Sequence, residues 1–275
     1  MLKLLVTIIL LSSTLFATNV EKTVEKFLEK SFKKNRNIVS LKIEIVEKIA
    51  VTKLEGWDAF IVSIDATLKA KPKNRQVKQK MIWFSNGSLI TQDLVDMKSG
   101  NSLKDLVAPT FKAGHYKKEN LIYGDVDAEH KVAIFSDPLC PFCRTFVPRV
   151  LNEMRKQPKK FAIYYYHLPL TSLHPSAVAL VKAAIVAQLQ GRKDVVLDLY
   201  RVQVNSREKD VKKILAAFNK TMKTNIKPSD INSTEVMKHY KSDIEISEAL
   251  MVIGTPTMFF DGKIDKSKNK YKEVK

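Results

Sequence analysis

The chain has 275 residues, of which 45% are hydrophobic and 28% charged, which excludes both a disordered chain and a bundle of membrane spans. Gly 8 and Pro 10 exclude fibrous and low-complexity classes, and Cys 2 is too few for a disulfide scaffold. Lys+Arg 47 against Asp+Glu 29 gives a formal net charge of +18, a balance that raises nucleic acid or an anionic surface as a partner.

Lys3, the apolar run Leu4–Leu11 interrupted by Thr7, polar Ser12 to Thr14 and the small Ala17 have the layout of a secretory signal peptide. Residues 1–17 are therefore expected to be removed after Ala17 and the protein to be exported; the run is too short to span a bilayer, which takes about 20 residues. Export changes the meaning of the charge. An exported chain rarely meets nucleic acid, no basic-aromatic recognition motif is present, and the lysines are dispersed except for a tail of Lys263, Lys266, Lys268, Lys270, Lys272 and Lys275. A solvated basic surface accounts for the balance, and nucleic acid is not expected as a partner.

Val20, Val24, Phe27, Leu28 and Phe32 recur at helical spacing. Leu41, Ile43 and Ile45 alternate with charged residues, as do Phe60, Val62, Ile64, Ala66 and Leu68 with their neighbours, and both runs predict strands. Met81–Phe84 and Leu89–Thr91 flank Asn86-Gly87, which favours a type I′ hairpin turn. Residues 18–98 thus predict a helix on a small antiparallel sheet, with Trp57 and Trp83 in its core. A unit this small is marginal alone, so pairing with a second copy is expected. Residues 99–125 are polar and punctuated by Gly100, Pro109, Gly114 and Gly124; they predict a linker with a short helix near Leu103–Val107.

From residue 126 the pattern becomes α/β. Lys131–Phe135 predicts a buried strand, Phe146, Val147, Val150, Leu151 and Met154 a helix, and Phe161–Tyr166 a second strand whose three tyrosines are mainly core. Ala177–Gln190 opens a run of helices, with Pro175 suited to a first turn and Gly191 beyond the end; Val195–Val204, Val211–Met222 and Thr234–Leu250 follow, and Thr257–Phe260 closes as a strand.

The chemistry centres on Cys140-Pro141-Phe142-Cys143 at a strand-to-helix junction. In a first helical turn Cys140 faces unsatisfied backbone N–H groups and the positive end of the helix dipole, which favour the reactive thiolate. Pro141 fits there because its missing N–H is not needed. The spacing lets Cys143 resolve a mixed disulfide formed by Cys140, with the first cysteine exposed and the second more buried. A structural disulfide closing so short a loop would constrain the unfolded chain little. A zinc site needs about four ligands and no second cysteine pair exists. Two inert cysteines remain the bland alternative. Asp137, three residues earlier, is read either as the end of a strand capping a turn or as a proton carrier or acceptor behind the cysteines. His174 reads as a helix-start residue.

Phe135–Met154, with its cysteine pair and with Pro148 inside the helix, resembles the active-site segment of thioredoxin-fold oxidoreductases. Gly254-Thr255-Pro256-Thr257 is similar to that family's cis-proline loop, and Tyr166–Arg192 resembles the start of the helical insertion in the periplasmic Dsb branch. The likeness covers about residues 125–262. Pro141 and Phe142 between the cysteines and Thr255 before Pro256 look most like the DsbC/DsbG isomerase group, which carries an N-terminal dimerisation domain.

The resemblance implies a thioredoxin-like α/β fold with a helical insertion at about 171–250, preceded by an α+β dimerisation domain. It implies catalysis by Cys140 and Cys143 and substrate contact at Thr255 and Pro256, where backbone could pair with an extended client. No cofactor beyond a redox-active Cys140–Cys143 disulfide is implied, and no metal. Partners would be unfolded or misbonded exported proteins and a DsbD-like or DsbB-like membrane thiol partner, in the periplasm. A DsbA-like oxidase and a holdase chaperone stand as alternatives. Only 19 residues follow Pro256, so the family's closing strand and helix are expected to be short.

Overall fold

The computed structural model describes residues 20–192 and 194–274, so the segment expected to be a signal peptide lies outside the described residues. The chain divides into two units at Ala108/Pro109. In the first, helix α1 (20–32) precedes strands β1 (Ile38–Ala50), β2 (Asp58–Leu68), β3 (Arg75–Ser85) and β4 (Ile90–Thr91), which form an antiparallel sheet in the order β1-β2-β3-β4. Val24 and Leu28 of α1 pack on Phe60, Val62, Ile64 and Ala66, alternate residues of β2 that point to one face. Phe32 meets Trp83 edge-on, with ring centroids 6.5 Å apart.

The β3–β4 turn differs from the expected type I′. That turn needs positive φ at both central residues, and of the pair only Gly87 has it, at 89°. Residues 86–89 instead form a longer loop, with Asn86 Oδ1 accepting from the N–H groups of Ser88 and Leu89. The short helix α2 spans Lys104–Val107.

The expected linker is a linker only in part. From Pro109 onward the chain belongs to the second unit, with Phe111 buried among Phe135, Tyr166 and Phe259. Strand β5 (Leu121–Tyr123) joins the second sheet, and Asn120 just before it donates through Nδ2 to Tyr165 O and to Asp243 Oδ1. A polar segment is thus held by backbone pairing and one aromatic anchor rather than by an apolar pattern of its own. Gly124 permits the close approach: at φ 79°, a Cβ there would lie 1.9 Å from Phe161 O.

The second sheet has the order β5-β7-β6-β8-β9. Its centre is a parallel pair, β6 (His130–Ser136) and β7 (Phe161–His167), joined by helix α3 (Pro141–Met154). Antiparallel β8 (Thr257–Phe260) and β9 (Lys263–Ile264) complete it. Every residue of β7 is buried, because helices cover one face and the Phe111 aromatic group with α7 the other. Between β7 and β8 lie α4 (Ala177–Leu189), α5 (Val195–Leu199), α6 (Val211–Met222) and α7 (Thr234–Ala249). Apolar on nearly all sides, α4 is the buried helix of this layer. The expected helix over Val195–Val204 stops at Leu199. After β9 a single 3₁₀ turn, Lys270–Lys272, buries Tyr271, whose hydroxyl bonds Glu153 Oε2 on α3.

Candidate active site

Strand β6 ends at Ser136, and the chain turns through Asp137-Pro138-Leu139 into α3. Asp137 makes this turn: its Oδ1 accepts from Leu139 N at 2.7 Å, and its O accepts from Cys140 N at 3.2 Å. Cys140 is the N-cap of α3, with φ −67° and ψ 123°, and its carbonyl accepts the first intrahelical bond from Arg144 N. Pro141 and Phe142 fill the next two positions, so Cys143 falls one turn along, facing the core. Pro148 lies within the same continuous helix.

The two sulfurs differ in setting. Both residues are free thiols; Cys143 is fully buried, while Cys140 keeps 5% of its surface exposed. Cys140 is thus less open than the exposed nucleophile expected, because the 255–256 loop lies over it: its Sγ is 3.6 Å from Thr255 O. The Thr255–Pro256 bond is cis. Phe142, between the two cysteines, is 77% exposed, and Ile253, two residues before Thr255, is 79% exposed. Burial pushes the Cys143 thiol up to about 11, against the opposing effect of the Ser136 and Thr255 hydroxyls beside it.

Asp137 does more than cap its turn. Its fully buried carboxylate also accepts, through Oδ2, from Leu170 N at 2.7 Å and pairs with His174 Nδ1 at 2.9 Å. It therefore ties the active-site turn to the start of the insertion. The pairing joins residues 37 apart, a distance at which the sequence offered no signal. Arg144, in the first turn of α3, is occupied by backbone: its guanidinium donates to Pro138 O and Val202 O. Sequence reasoning also missed the hydroxyl group behind Cys143. Ser136 Oγ and Tyr200 OH lie 2.7 Å apart, as do Tyr200 OH and Tyr165 OH.

The arrangement brings Cys140, Cys143, Thr255 and Pro256 together, with Pro141, Phe142 and Asp137 around them. It suits an exchange in which one sulfur is reached from outside and the other from within. Among the described residues no group of three His, Cys, Asp or Glu side chains is placed to hold a metal ion.

Among solved structures, the chain is similar to the catalytic domain of Proteus mirabilis ScsC (22% identity, 54% of this chain and 84% of that one, TM-score 0.42). It is also similar to Bacillus subtilis BdbD in its oxidised form (16%, 60% and 92%, TM-score 0.46) and to Pseudomonas aeruginosa DsbA2 (20%, 56% and 91%, TM-score 0.40). Among curated proteins, it aligns with the Na(+)/H(+) antiporter NhaA 1 of Mycolicibacterium gilvum, 27% identical over 144 residues, or 52% of this chain and 23% of the antiporter. The same antiporter of Mycolicibacterium vanbaalenii aligns at 26% over 143 residues, so the chain spans 23% of the length of either relative. The Thioredoxin family profile matches residues 116–275, and with more than half of the chain so covered the protein belongs to the Thioredoxin family.

Proposed function

We propose that this protein is an exported thiol–disulfide oxidoreductase of isomerase or reductase type, acting on misbonded or oxidised periplasmic proteins. The observation that carries the proposal is the pair of thiols of unequal burial at the start of α3, the first 3.6 Å from a carbonyl of the cis-proline loop. Cys140 attacks a client disulfide; one client sulfur leaves and a mixed disulfide forms on Cys140. Cys143 then attacks Cys140 Sγ, closing the Cys140–Cys143 disulfide and releasing the second client sulfur. The client gains two electrons and the cysteine pair loses them. Thr255 and Pro256 hold the client strand by backbone pairing, and the exposed Phe142 supplies apolar contact beside the bond exchanged.

Charge supports this direction. No cation stands between the cysteines, and Arg144 is committed to two carbonyls, so the helix terminus is left as the main support for a thiolate. Such a pair is less oxidising than one with a cation beside the nucleophile. A membrane thiol partner of DsbD-like or DsbB-like kind would reset the pair. Dimerisation through the N-terminal unit is supported by β1, a 13-residue edge strand with Val39 52% and Val46 53% exposed. The test is a reduction potential measured together with refolding of scrambled ribonuclease. A potential well below the DsbA value of about −120 mV, with reshuffling, is expected. A potential near that value without reshuffling means an oxidase, and undiminished biological activity of Cys140→Ser means a holdase.

A further inference from the structure

Cys143 has to act as a nucleophile from a buried position, and burial works against the thiolate it must form. The carboxylate nearest in sequence, Asp137, is occupied by Leu139 N, Leu170 N and His174 Nδ1. The other titratable groups around the sulfur are Cys140, Tyr165 and Tyr200, together with the neutral hydroxyls of Ser136 and Thr255. Ser136 ends β6, Tyr165 lies on β7 and Tyr200 follows α5, so three separate elements deliver hydroxyls to one buried spot. Ser136 and Tyr165 are 0% exposed and Tyr200 is 6%.

The proton count gives this cluster a direction. Three hydroxyls carry three protons, and the two aligned bonds, Ser136 to Tyr200 and Tyr200 to Tyr165, use two. In either bond either oxygen can donate. If the chain runs from Ser136 toward Tyr165, the spare proton ends on the Tyr165 hydroxyl, where Ser136 is the hydroxyl left to accept it, and none of the three protons is turned to the sulfur. If it runs from Tyr165 through Tyr200 to Ser136, the spare proton ends beside the Cys143 sulfur.

Resting on the oxidoreductase reading above, we infer that the Ser136–Tyr200–Tyr165 hydroxyl chain is a positioning device for the resolving step, donating to the Cys143 thiolate as it forms. Burial keeps both tyrosines protonated far above neutral pH, so they remain donors throughout the reaction. In that step Cys143 S⁻ attacks Cys140 Sγ of the mixed disulfide, the Cys140–Cys143 bond forms, and the Cys140–client bond breaks. The client thiolate leaves and takes up the proton that Cys143 gave out. The chain transfers no proton in the net reaction; it turns toward the sulfur and holds the charge. The helical insertion, which supplies Tyr200, thereby becomes part of the redox site.

The experiment is a titration of Cys143 in the full chain carrying Cys140→Ala, followed by thiolate ultraviolet absorbance. Adding Tyr200→Phe or Tyr165→Phe is expected to lower the thiolate fraction at a given pH about tenfold, the equivalent of one pKa unit. Tyr164→Phe is the control; it removes a hydroxyl from the same strand on the face away from the cysteines and is expected to leave the titration unmoved. With Cys140 intact, single-turnover release of a mixed-disulfide peptide should slow by a similar factor in the two test variants, while the first attack on the peptide disulfide keeps its rate. Near-ultraviolet circular dichroism checks that each variant is folded. An unchanged Cys143 titration in folded Tyr200→Phe overturns the inference. A shifted titration in a protein whose intact form reduces no disulfide overturns the oxidoreductase reading and leaves the hydroxyl chain standing.

Discussion

Every residue of β7 is buried, whereas none of the 13 residues of β1 is. The central strand of the C-terminal sheet is covered on both faces, so its sequence, Phe161–His167, is a continuous aromatic and apolar run. The edge strand of the N-terminal sheet has one face on α1 and the other in solvent, and its sequence alternates. The difference shows why the chemistry sits where it does. A buried sulfur with its charge held by fixed hydroxyls needs a core that excludes water and does not move, and β6 and β7 provide it. The N-terminal sheet, open along β1, provides surface instead.

The largest effect that would break the contrast concerns the site itself. Cys140→Ser is expected to bring reduction of an insulin disulfide down to the uncatalysed background. Cys143→Ser should leave a stable mixed disulfide on Cys140, visible by mass spectrometry. Because burial holds the Cys143 thiol up to about 11, Cys143 in the Cys140→Ser protein should resist alkylation at neutral pH and yield to it in alkali. Fast alkylation of Cys143 at neutral pH would remove the distinction between the two sulfurs.

Next come the two cores. Ile134 on β6 is 0% exposed, and Ile134→Ala should cost about 2–5 kcal/mol by denaturant unfolding. Val39→Thr on β1, where the side chain is half in water, should stay within about 0.5 kcal/mol. Equal costs would mean that β1 is covered by something the isolated chain supplies.

A third test uses pH. Asp243 on α7 is fully buried, accepting from Asn120 Nδ2 and His167 N, with His239 Nε2 3.8 Å away. Burial raises its carboxyl to about 8, outweighing those two donors, with Glu119 adding to the rise. Burial, reinforced by His239, lowers His167 to about 3, and Gln188 opposes this. The folded Asp243 keeps a proton that the unfolded chain releases above its ordinary 3.8, so its contribution is full at low pH and is lost as pH rises toward 8. His167 acts oppositely: the unfolded chain takes up a proton below 6.5 that the folded one refuses, so stability is lost as pH falls. The two slopes oppose each other below 6.5, and above it only Asp243 remains. The thermal midpoint should therefore fall between about pH 6.5 and 8, and Asp243→Asn should flatten that fall. A variant that keeps the wild-type slope there would assign it to other groups.

These groups also mark where the sequence stopped being informative. Strand β2 was legible because Phe60, Val62, Ile64 and Ala66 alternate, and α6 was legible from Val211 to Met222. The cysteine pair and the Gly-Thr-Pro loop were legible as local strings, and the fold sets them 3.6 Å apart. Strand β3 begins six residues before its apolar pattern, at Arg75, because pairing with β2 rather than its own composition makes it a strand. Strand β5, the Asp137–His174 pair and the Ser136–Tyr200–Tyr165 cluster all depend on residues far apart in the chain, so no local pattern encodes them.

The smallest effect returns to the N-terminal unit. Asn86-Gly87 was legible as a turn but not as the turn that forms, because Asn86 spends its side chain on Ser88 N and Leu89 N and leaves the positive φ to Gly87 alone. At φ 89° an alanine is strained whatever the space, although its Cβ would meet only Val20 Cγ2, at 3.7 Å. Gly87→Ala should therefore cost about 1–2 kcal/mol through the backbone and nothing through packing. Asn86→Ala should cost about 1 kcal/mol by releasing the two N–H groups, which water then takes. Both losses belong in the unfolding of the first unit. If the reduction potential of the cysteine pair moved with either, the open sheet would be part of the redox machinery and not a surface beside it.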